Sequence, residues 1–297
     1  MSKVIGCDVG GTFTDLIMLD EAAGEVSISK VPSTPNNQAV GVMEALTVAG
    51  ANCRELSLLI HGTTTTTNAL LEKKIARCGL ITTRGFRDVL ELGRRTRPNP
   101  YGLIGSFEPL VSREYRLEVD ERVDANGSVV TPLDEEGVRQ AAQNLADQGC
   151  ESLIIHFLHA YANDSHERRA AEIAAENWPN DYITVGSAII AEFREYERGV
   201  AAAVNAAIRP VLARYMDRLR DELRAKNYDQ DFLVMQGNGG TVSSSIVSDA
   251  AINTVMSGPA SGVMAAAYTG VRSGFADIIT YDMGGTSSDV GLIKGGI

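Results

Sequence analysis

Two short apolar segments and one segment of alternating apolar and polar residues lie near the start of the chain, and both patterns are typical of β-strands. Apolar segments at 4–7 and 15–19 flank the glycine pair Gly10 and Gly11, and a third alternating segment covers 25–31. Because a glycine pair permits a tight turn, the pattern predicts an antiparallel hairpin followed by a third strand.

Beyond this hairpin, short apolar segments alternate with segments in which apolar residues recur every three or four positions. Further strands are predicted at 56–60, 78–82, 152–158, 182–185, 232–235, 277–281 and 289–293, and helices over 36–49, 133–149, 165–177, 194–225 and from 259 onward. Alternation at this spacing predicts an α/β fold with a mainly parallel sheet. Pro210, inside the longest helix, predicts a kink or a break. The less regular segment 85–131 is interpreted as an inserted lobe or an active-site flap.

Composition and charge narrow the classes of function. Hydrophobic residues make up 44% and charged residues 22% of the 297 residues, as in ordinary globular proteins. A net charge of −11, from 27 basic and 38 acidic residues, argues against a nucleic-acid partner. The local exception is Arg94, Arg95 and Arg97, interpreted either as a solvated loop or as a contact for an anion. No apolar stretch reaches the length of a membrane span and no leader pattern is present, so we expect a cytoplasmic protein without membrane contact.

One eight-residue pattern occurs near both ends of the chain. Residues 8–15 and 282–289 share the pattern D-x-G-G-T-x-x-D, and each copy follows an apolar strand. Glycines let backbone N–H groups approach phosphate oxygens, threonine hydroxyls add donors, and an aspartate at a strand end can hold Mg²⁺. A single copy is equally well explained as a tight turn, whereas the matched pair favours a nucleotide phosphate site. The pattern is neither a P-loop nor a Rossmann fingerprint, because no GK[ST] follows and the glycines open hairpins rather than helices.

The paired hairpins resemble the two phosphate loops of the actin, Hsp70 and sugar-kinase superfamily. Within it, the chain resembles the hydantoinase A/5-oxoprolinase family in many separate segments. These segments are GCDVGGTFTDLIML, HGTTTTTNALLE, ITTRGFRDVLELGRR, FLHAYANDSHERR, EFREYERGVAAAVNAAIRP, MQGNGGT, SGPASGVMAA and YDMGGTSSDVGLI. The resemblance implies a ribonuclease H-like actin/Hsp70/sugar-kinase type ATPase core with an inserted α/β lobe and an incomplete second half.

The resemblance also implies an activity. Family members open a cyclic amide such as a hydantoin, 5-oxoproline or another lactam in an ATP-dependent reaction, together with a B-type subunit or a fused B domain. ATP and Mg²⁺ are therefore the expected cofactors, and an oligomer is compatible with the family. Two alternatives stay open: the equivalent subunit of an ATP-dependent acetone- or acetophenone-type carboxylase, and a nucleotide-switched interaction protein like actin or Hsp70.

Site residues follow from the resemblance by matching the motifs. The residues expected to contact phosphate are Gly10, Gly11, Thr12, Thr14, Gly284, Gly285, Thr286 and Ser287. Asp8 and Asp282 would organise Mg²⁺, and together with Asp15 they are the expected catalytic carboxylates. Asp15 is the one assigned to orient or deprotonate a reacting group.

Several other polar groups have both a structural and a functional interpretation. His61 and the threonines at 63–67 are interpreted as a structural cap or as part of a loop that faces the site. His156, His159 and His166 suggest a metal, but an odd spacing on one strand argues against joint ligation by the first two. The charged residues at 194–198 are expected to form ion pairs on a helix surface or to dock against the other lobe.

The expected domain organisation has two parts. Residues 1–190 would form the family's N-terminal domain, with the inserted lobe at about 85–131, and residues 191–297 the start of its second ATPase domain. The family's A part continues beyond the second phosphate hairpin into an adenosine-binding motif. We therefore expect this sequence to be truncated after that hairpin and to be inactive by itself.

Overall fold

The fold is described from a computed structural model for residues 3–34, 37–94, 96, 99, 101–102, 105, 108–283 and 288–296. The strands are β1 (Lys3–Val9), β2 (Phe13–Asp20), β3 (Glu25–Pro32), β4 (Leu56–Thr63), β5 (Cys78–Thr83), β6 (Arg116–Val119), β7 (Arg122–Val123), β8 (Val129–Thr131), β9 (Ser152–His156), β10 (Ile183–Val185), β11 (Leu233–Met235), β12 (Thr241–Ser243), β13 (Ile278–Met283) and β14 (Ser288–Ile293). The α-helices are α1 (Gln38–Val48), α2 (Thr65–Leu71), α3 (Val89–Leu92), α4 (Glu135–Asp147), α5 (Ser165–Ala175), α6 (Gly186–Ile189), α7 (Glu195–Ala225) and α8 (Ser257–Arg272). The strands and helices expected from the apolar periodicity are thus confirmed.

The chain divides into two compact units. Unit 1 comprises Met1–Lys74 and Val211–Ile297, and unit 2 comprises the residues between them, Ile75–Pro210. Each unit contains its own β-sheet. The division at residue 190 expected from the sequence concerns family domains and stays a prediction.

The main sheet of unit 1 is mixed and has six strands in the order β12-β11-β4-β1-β2-β3. β1, β2 and β3 form the expected antiparallel meander, while β4 runs parallel to β1 and β11 runs parallel to β4. Helix α1 packs on the meander and buries Ala39, Val42, Ala45 and Leu46. This packing explains why alternate residues of β2 are buried while the residues between them are exposed.

The second copy of the repeated pattern also forms a hairpin, as expected. β13 and β14 pair antiparallel as a separate two-stranded sheet in unit 1, and α8 packs on both strands. The turn residues 284–287 lie outside the described residues.

Unit 2 contains the parallel sheet that the strand–helix alternation predicted. Its four strands have the order β10-β9-β5-β6, and every neighbouring pair is parallel. One core cluster packs α4 and α5 against the sheet through residues such as Val138, Leu145 and Ile173. A second cluster brings Ala203 and Ala207 of α7 against the sheet.

Strand β6 lies inside segment 85–131, where no sheet strand was predicted. It pairs with β5 through Leu80 and Arg116 onward, so it belongs to the parallel sheet. Its first residue, Arg116, is almost fully buried and bonds the Val111 carbonyl at 2.9 Å and Glu91 at 3.1 Å. A buried arginine breaks the apolar pattern that marks a strand, because its charge is satisfied only by tertiary partners.

Helix α7 passes through Pro210 without interruption. Of the two outcomes that the sequence predicted, a break is therefore excluded. Around the proline, Ala206 and Ala207 are buried in unit 2, and Leu212 and Tyr215 are buried in unit 1. Burial of an apolar stripe on both sides of Pro210 outweighs the loss of one backbone hydrogen bond.

The prediction that Arg198 lies in a surface ion pair is wrong. Arg198 is fully buried in unit 2, where its guanidinium donates to the Phe157 carbonyl at 2.9 Å and pairs with Glu195. Nearby Glu167 is also fully buried, and burial raises its pKa although the Phe157 and Ser187 N–H groups donate to it at 2.8 and 2.7 Å. Only tertiary contacts make such burial of charge tolerable.

The three histidines considered for a metal have separate partners. His156 ends β9, its Nε2 lies 3.0 Å from the Glu195 carbonyl oxygen, and burial lowers its pKa to about 3. His159 lies beyond the strand in a left-handed conformation, with φ of 58°. His166 Nδ1 lies 2.8 Å from Glu121 Oε2. Because β9 ends at His156, His159 is not on the strand. The expectation that an odd spacing on one strand separates the two histidines therefore does not apply.

None of the helices in the described part of the chain combines the length and the apolar composition that a bilayer crossing requires. The four cysteines, Cys7, Cys53, Cys78 and Cys150, are buried free thiols.

Buried neutral histidines predict a loss of stability in mild acid. In unit 1, His61 is fully buried on β4, hydrogen-bonded to Tyr215 at 2.8 Å, and burial lowers its pKa to about 4. Between pH 6.5 and 4 the unfolded chain then binds more protons, so stability falls as pH falls. Lowering the pH from 7.5 to 5 should cost about 2 kcal/mol through His61 alone, measured by urea unfolding at both values.

The matched variant is His61→Gln, which has no titrating ring. It should be less stable than the wild type at pH 7.5, but its stability should depend less on pH. An identical fall in both proteins would contradict the assignment.

Candidate functional site

A cavity of about 470 Å³ in unit 1 brings the two repeated hairpins together. From the first hairpin it is lined by Asp8, Gly10, Gly11, Thr12 and Asp15, and from the second by Asp282, Met283 and Asp289. This volume lies within the range of about 300–1,000 Å³ that is usual for small-molecule sites. Two segments more than 260 residues apart in sequence therefore share one cavity.

The first turn is shaped by a close backbone approach. Gly10 and Phe13 close the loop between β1 and β2, where the Gly10 N–H donates to the Phe13 carbonyl at 3.0 Å. A Cβ atom on Gly10 would lie 3.1 Å from that same carbonyl oxygen. A side chain at position 10 would thus crowd the turn, and the turn presents Gly10, Gly11 and Thr12 to the cavity.

The aspartates of each repeat face each other across their hairpin. Asp8 is the direct cross-strand partner of Asp15, and Asp282 is the partner of Asp289. Like charges in this position destabilise an antiparallel pair. Desolvation, with contributions from the charges of Asp15 and Asp282, raises the pKa of Asp8. The cavity wall is therefore arranged to attract cations.

Lys30 distinguishes the two carboxylates of the first hairpin. It is the cross-strand partner of Asp15 on β3, and its Nζ lies 2.8 and 3.0 Å from the two Asp15 oxygens. The same ammonium lies 4.9 Å from the centre of the Phe13 ring. Within the described residues, no cationic side chain pairs with Asp8. The charge of Asp15 is thus compensated by a lysine, whereas that of Asp8 is not.

Gly62 makes room for the Asp8 carboxylate. The two residues are partners in the parallel pairing of β1 and β4. A Cβ atom on Gly62 would lie 2.7 Å from Asp8 Oδ1, closer than real Cβ contacts. The glycine after His61 is therefore explained by contact with the aspartate of the repeat.

The threonine segment and His61 have different roles in the structure. Thr64 and Thr67 line the cavity, with Thr64 Oγ1 donating to the Val9 carbonyl at 3.2 Å and Thr67 Oγ1 accepting from the Met256 N–H at 3.0 Å. His61 is buried in the sheet against Tyr215 and does not line the cavity. Thr64 and Thr67 therefore follow the interpretation that faces the site, whereas His61 and the buried Thr63 and Thr66 follow the structural one.

The beginning of α8 adds a feature that the sequence analysis did not identify. Met256, Gly258 and Pro259 line the cavity at the first turn of this 16-residue helix. N–H groups in a first turn have no intrahelical acceptor, and the helix dipole favours anions there. The combination of a glycine and a proline at a helix start could have indicated it, since proline is frequent in the first turn.

Not every expected residue reaches the cavity. Thr14 is fully buried on the opposite face of β2, with its hydroxyl 3.0 Å from Ser33 Oγ and against Gly41. Strand alternation explains this, because Phe13 and Asp15 point to the cavity side and Thr14 between them does not. The expected contacts Gly284, Gly285, Thr286 and Ser287 lie outside the described residues, as do Arg95 and Arg97, while Arg94 pairs with Glu197.

The carboxylates suit a metal that is shared with a ligand. Among the residues that the structure describes, no group of three or more His, Cys, Asp or Glu side chains could hold a metal by itself. Mg²⁺ is usually bound by one or two carboxylates and completes its shell with phosphate oxygens and water. Asp8 and Asp282 on one cavity wall fit that mode of binding.

Removing one of the facing charges should stabilise the empty site. Asp8→Asn relieves repulsion from Asp15 and Asp282, so without cations or nucleotide it should raise the free energy of unfolding by up to about 1 kcal/mol. Urea unfolding at low ionic strength with a chelator measures this. Asp15→Asn is the matched control and should gain less, because it also loses the Lys30 ion pair. A less stable Asp8→Asn protein would show that the repulsion is not significant.

Comparison with known proteins gives family-model matches over most of the chain. The model of the hydantoinase/oxoprolinase N-terminal region matches residues 4–178, and the model described as hydantoinase/oxoprolinase matches residues 198–297. An uncharacterised protein of Methanocaldococcus jannaschii is 38% identical over 99% of this chain and 44% of its own length.

Two solved structures are similar along nearly the whole chain. Nucleotide-free acetone carboxylase, solved for the mechanism of ATP-dependent acetone carboxylation, has a TM-score of 0.86 at 30% identity and covers 99% of this chain and 44% of its own. The ATP-dependent caprolactamase of Pseudomonas jessenii has a TM-score of 0.84 at 32% identity and covers 97% and 43%. These matches confirm the α/β fold of the actin-like ATPase type, and the chain spans less than half the length of these relatives.

Proposed function

The chain belongs to the hydantoinase/oxoprolinase family, and on that premise we propose that it is the ATP-binding part of an enzyme that activates a cyclic amide for ring opening. The observation that carries the proposal is the convergence of two D-x-G-G-T-x-x-D hairpins on one cavity. A nucleotide triphosphate with its cation matches this wall, which combines the Gly10–Gly11 turn, threonine hydroxyls, a helix N-terminus and the carboxylates of Asp8 and Asp282.

We assign the phosphate chain of ATP to the turns of the two hairpins. Gly10, Gly11 and Thr12 would supply backbone and hydroxyl donors on one side, and segment 284–287 would do so on the other. The first turn of α8 adds a positive dipole end from a third direction. Asp8 and Asp282 would hold Mg²⁺, whose remaining ligands would be phosphate oxygens and water. The cation would also offset the repulsion between the Asp8 and Asp282 carboxylates.

The proposed chemistry activates the amide bond, which is otherwise too stable to react with water. Transfer of the γ-phosphoryl group from ATP to the amide oxygen releases ADP and leaves a phosphorylated imidate. Water then adds to the imidate carbon, and loss of phosphate with cleavage of the C–N bond opens the ring. The protein contributes positioning and charge neutralisation. Asp15, fixed by Lys30, is the carboxylate that would orient the reacting group.

A second candidate function uses the same ATP site but a different substrate, a ketone in place of a cyclic amide. The similarity to acetone carboxylase supports the equivalent subunit of an ATP-dependent ketone carboxylase. In both cases we propose that a B-type subunit or domain completes the reaction, since a relative from Pseudomonas jessenii is itself the alpha subunit of caprolactamase. Residues 1–190 and 191–297 are proposed as the two family domains.

Binding of Mg·ATP is the first test. At 100 times its Kd, the nucleotide should stabilise the chain by roughly 2.7 kcal/mol, measured as a thermal shift with ATP and Mg²⁺ together. Asp8→Ala and Asp282→Ala should each lose the shift because both carboxylates organise the cation. Gly62→Ala should weaken it, since the new Cβ displaces the Asp8 carboxylate.

Two control variants test whether a lost thermal shift is caused by the cavity residues or by substitution in general. Asp229→Ala removes an exposed carboxylate of unit 1 that does not line the cavity. Gly262→Ala places its Cβ in open space on α8. Both should keep the full shift. A full shift retained in both Asp8→Ala and Asp282→Ala would contradict the assignment of the cavity to ATP.

The acceptor is tested by nucleotide turnover together with a B-type partner. If the proposal is right, ADP release depends on a cyclic amide and is unchanged by a ketone with bicarbonate. Release that requires ketone and bicarbonate would instead establish the carboxylase function. Asp8→Ala should abolish release in either case, which identifies the cavity as its source.

A further inference from the structure

The second hairpin, formed by β13 and β14, has an apolar face that is exposed. Alternate residues of its strands point away from α8, and the large side chains among them are Ile279, Tyr281, Met283, Val290 and Leu292. Each of the five is between 65% and 76% exposed. They form one continuous surface, because Ile279 is the cross-strand partner of Leu292 and Tyr281 is the partner of Val290. A contiguous apolar surface of this kind, here called the outer face, is typical of an interaction site.

The internal repeat identifies the buried counterpart of the outer face. Both hairpins have the same register, since Asp8 pairs with Asp15 and Asp282 with Asp289. When the two copies of D-x-G-G-T-x-x-D are aligned, the five outer-face residues correspond to Ile5, Cys7, Val9, Leu16 and Met18. In the first hairpin these positions are at most 7% exposed. The same positions thus belong to the core in one repeat and to the surface in the other.

Two elements complete the first hairpin. β3 pairs antiparallel with β2 over the full length of both strands, and α1 packs on β1, β2 and β3 with a stripe of buried apolar residues. In the described part of the second hairpin, β14 pairs only with β13. Its helix, α8, packs on the opposite face, where a Cβ atom on Gly291 would lie 2.5 Å from Val263 Cγ2. The counterparts of β3 and α1 are therefore the elements that would cover the outer face.

A strand followed by an amphipathic helix would satisfy both open features of the hairpin, the edge of β14 and the outer face. A second copy of the chain would satisfy one of them at a time, because packing face to face leaves the β14 edges unpaired and pairing edge to edge leaves the faces exposed. Relatives contain polypeptide that could supply such a segment. This chain covers only 43% of caprolactamase subunit alpha and 44% of the acetone carboxylase chain.

We propose that the outer face of the second hairpin is a docking surface for a strand–helix segment, the counterpart of β3 and α1, from the polypeptide that these relatives have outside the matched region. The strand would pair with the edge of β14, and the apolar stripe of the helix would cover the five side chains. The inference goes beyond the proposed function and is independent of it, because it requires no ligand in the cavity.

Thiol labelling tests the docking, because the four native cysteines are buried and such thiols are inert. Tyr281→Cys places a reactive thiol on the outer face. The variant is labelled with a maleimide, alone and after co-expression with the part of Pseudomonas jessenii caprolactamase subunit alpha that lies outside the matched region. In the complex, labelling should be slower by about tenfold or more, since the thiol reacts only when the docked segment opens. Leu292→Cys should behave in the same way, and amide hydrogen exchange along β14 should slow because its edge becomes paired.

Val130→Cys is the matched control, since Val130 is exposed to a similar degree on β8 in unit 2. It should be labelled equally fast with and without the partner. Val290→Asp places a charge on the outer face and should abolish the complex. The urea midpoint of this variant without partner should equal that of the wild type, because the side chain is exposed. An unchanged midpoint shows that the complex is not lost through unfolding.

Three results would overturn the proposal. The first is the absence of a co-purified complex, or a complex in which Tyr281→Cys is labelled as fast as in the free chain. The second is slow, concentration-dependent labelling of the free chain, which would show that a second copy occupies the outer face. The third is protection of the thiol by a B-type subunit in place of the strand–helix segment.

Discussion

Repulsion between facing aspartates is the constraint on which the candidate site depends. Each repeat places its two carboxylates directly opposite each other, and both pairs line one cavity. Lys30 compensates Asp15, but the pKa of Asp8 is raised by desolvation and by its charged neighbours. The fold therefore maintains an unfavourable arrangement that a cation bound to phosphate would relieve. Strain of this electrostatic kind is typical of functional sites, where affinity for a ligand is gained at the expense of stability.

The rest of unit 1 keeps this arrangement in place. The parallel pairing of β1 with β4 brings Gly62 against Asp8, where a larger residue would displace the carboxylate. The threonines that follow β4 connect the first hairpin to the start of α8 through the Thr67–Met256 hydrogen bond. The Gly10–Gly11 turn and Asn68 line two adjoining cavities, so the first hairpin turn forms a wall of both.

In unit 2, buried charged side chains have a structural role. Arg198 and Glu167 are fully buried beside the neutral His156, and each is bonded to backbone groups near the end of β9. Such a network is stable only while its hydrogen bonds are intact. Arg116 likewise anchors β6 through Val111 and Glu91. In this unit buried charge positions strands and helices, and the described residues of the network do not line the cavity at the repeated hairpins.

The strand and helix pattern and the two repeated hairpins could be predicted from the sequence, because apolar periodicity and glycine spacing are local properties. Many separate segments also indicated the family. Which residues share a cavity wall, in contrast, depends on tertiary contacts. In the tertiary structure Thr14 and His61 are buried, Lys30 and the start of α8 line the cavity, and Arg116 lies in a strand. These outcomes depend on which face of an element meets which neighbour, and a cross-strand partner such as Asp8 for Asp15 acquires its meaning only when the pairing register is known.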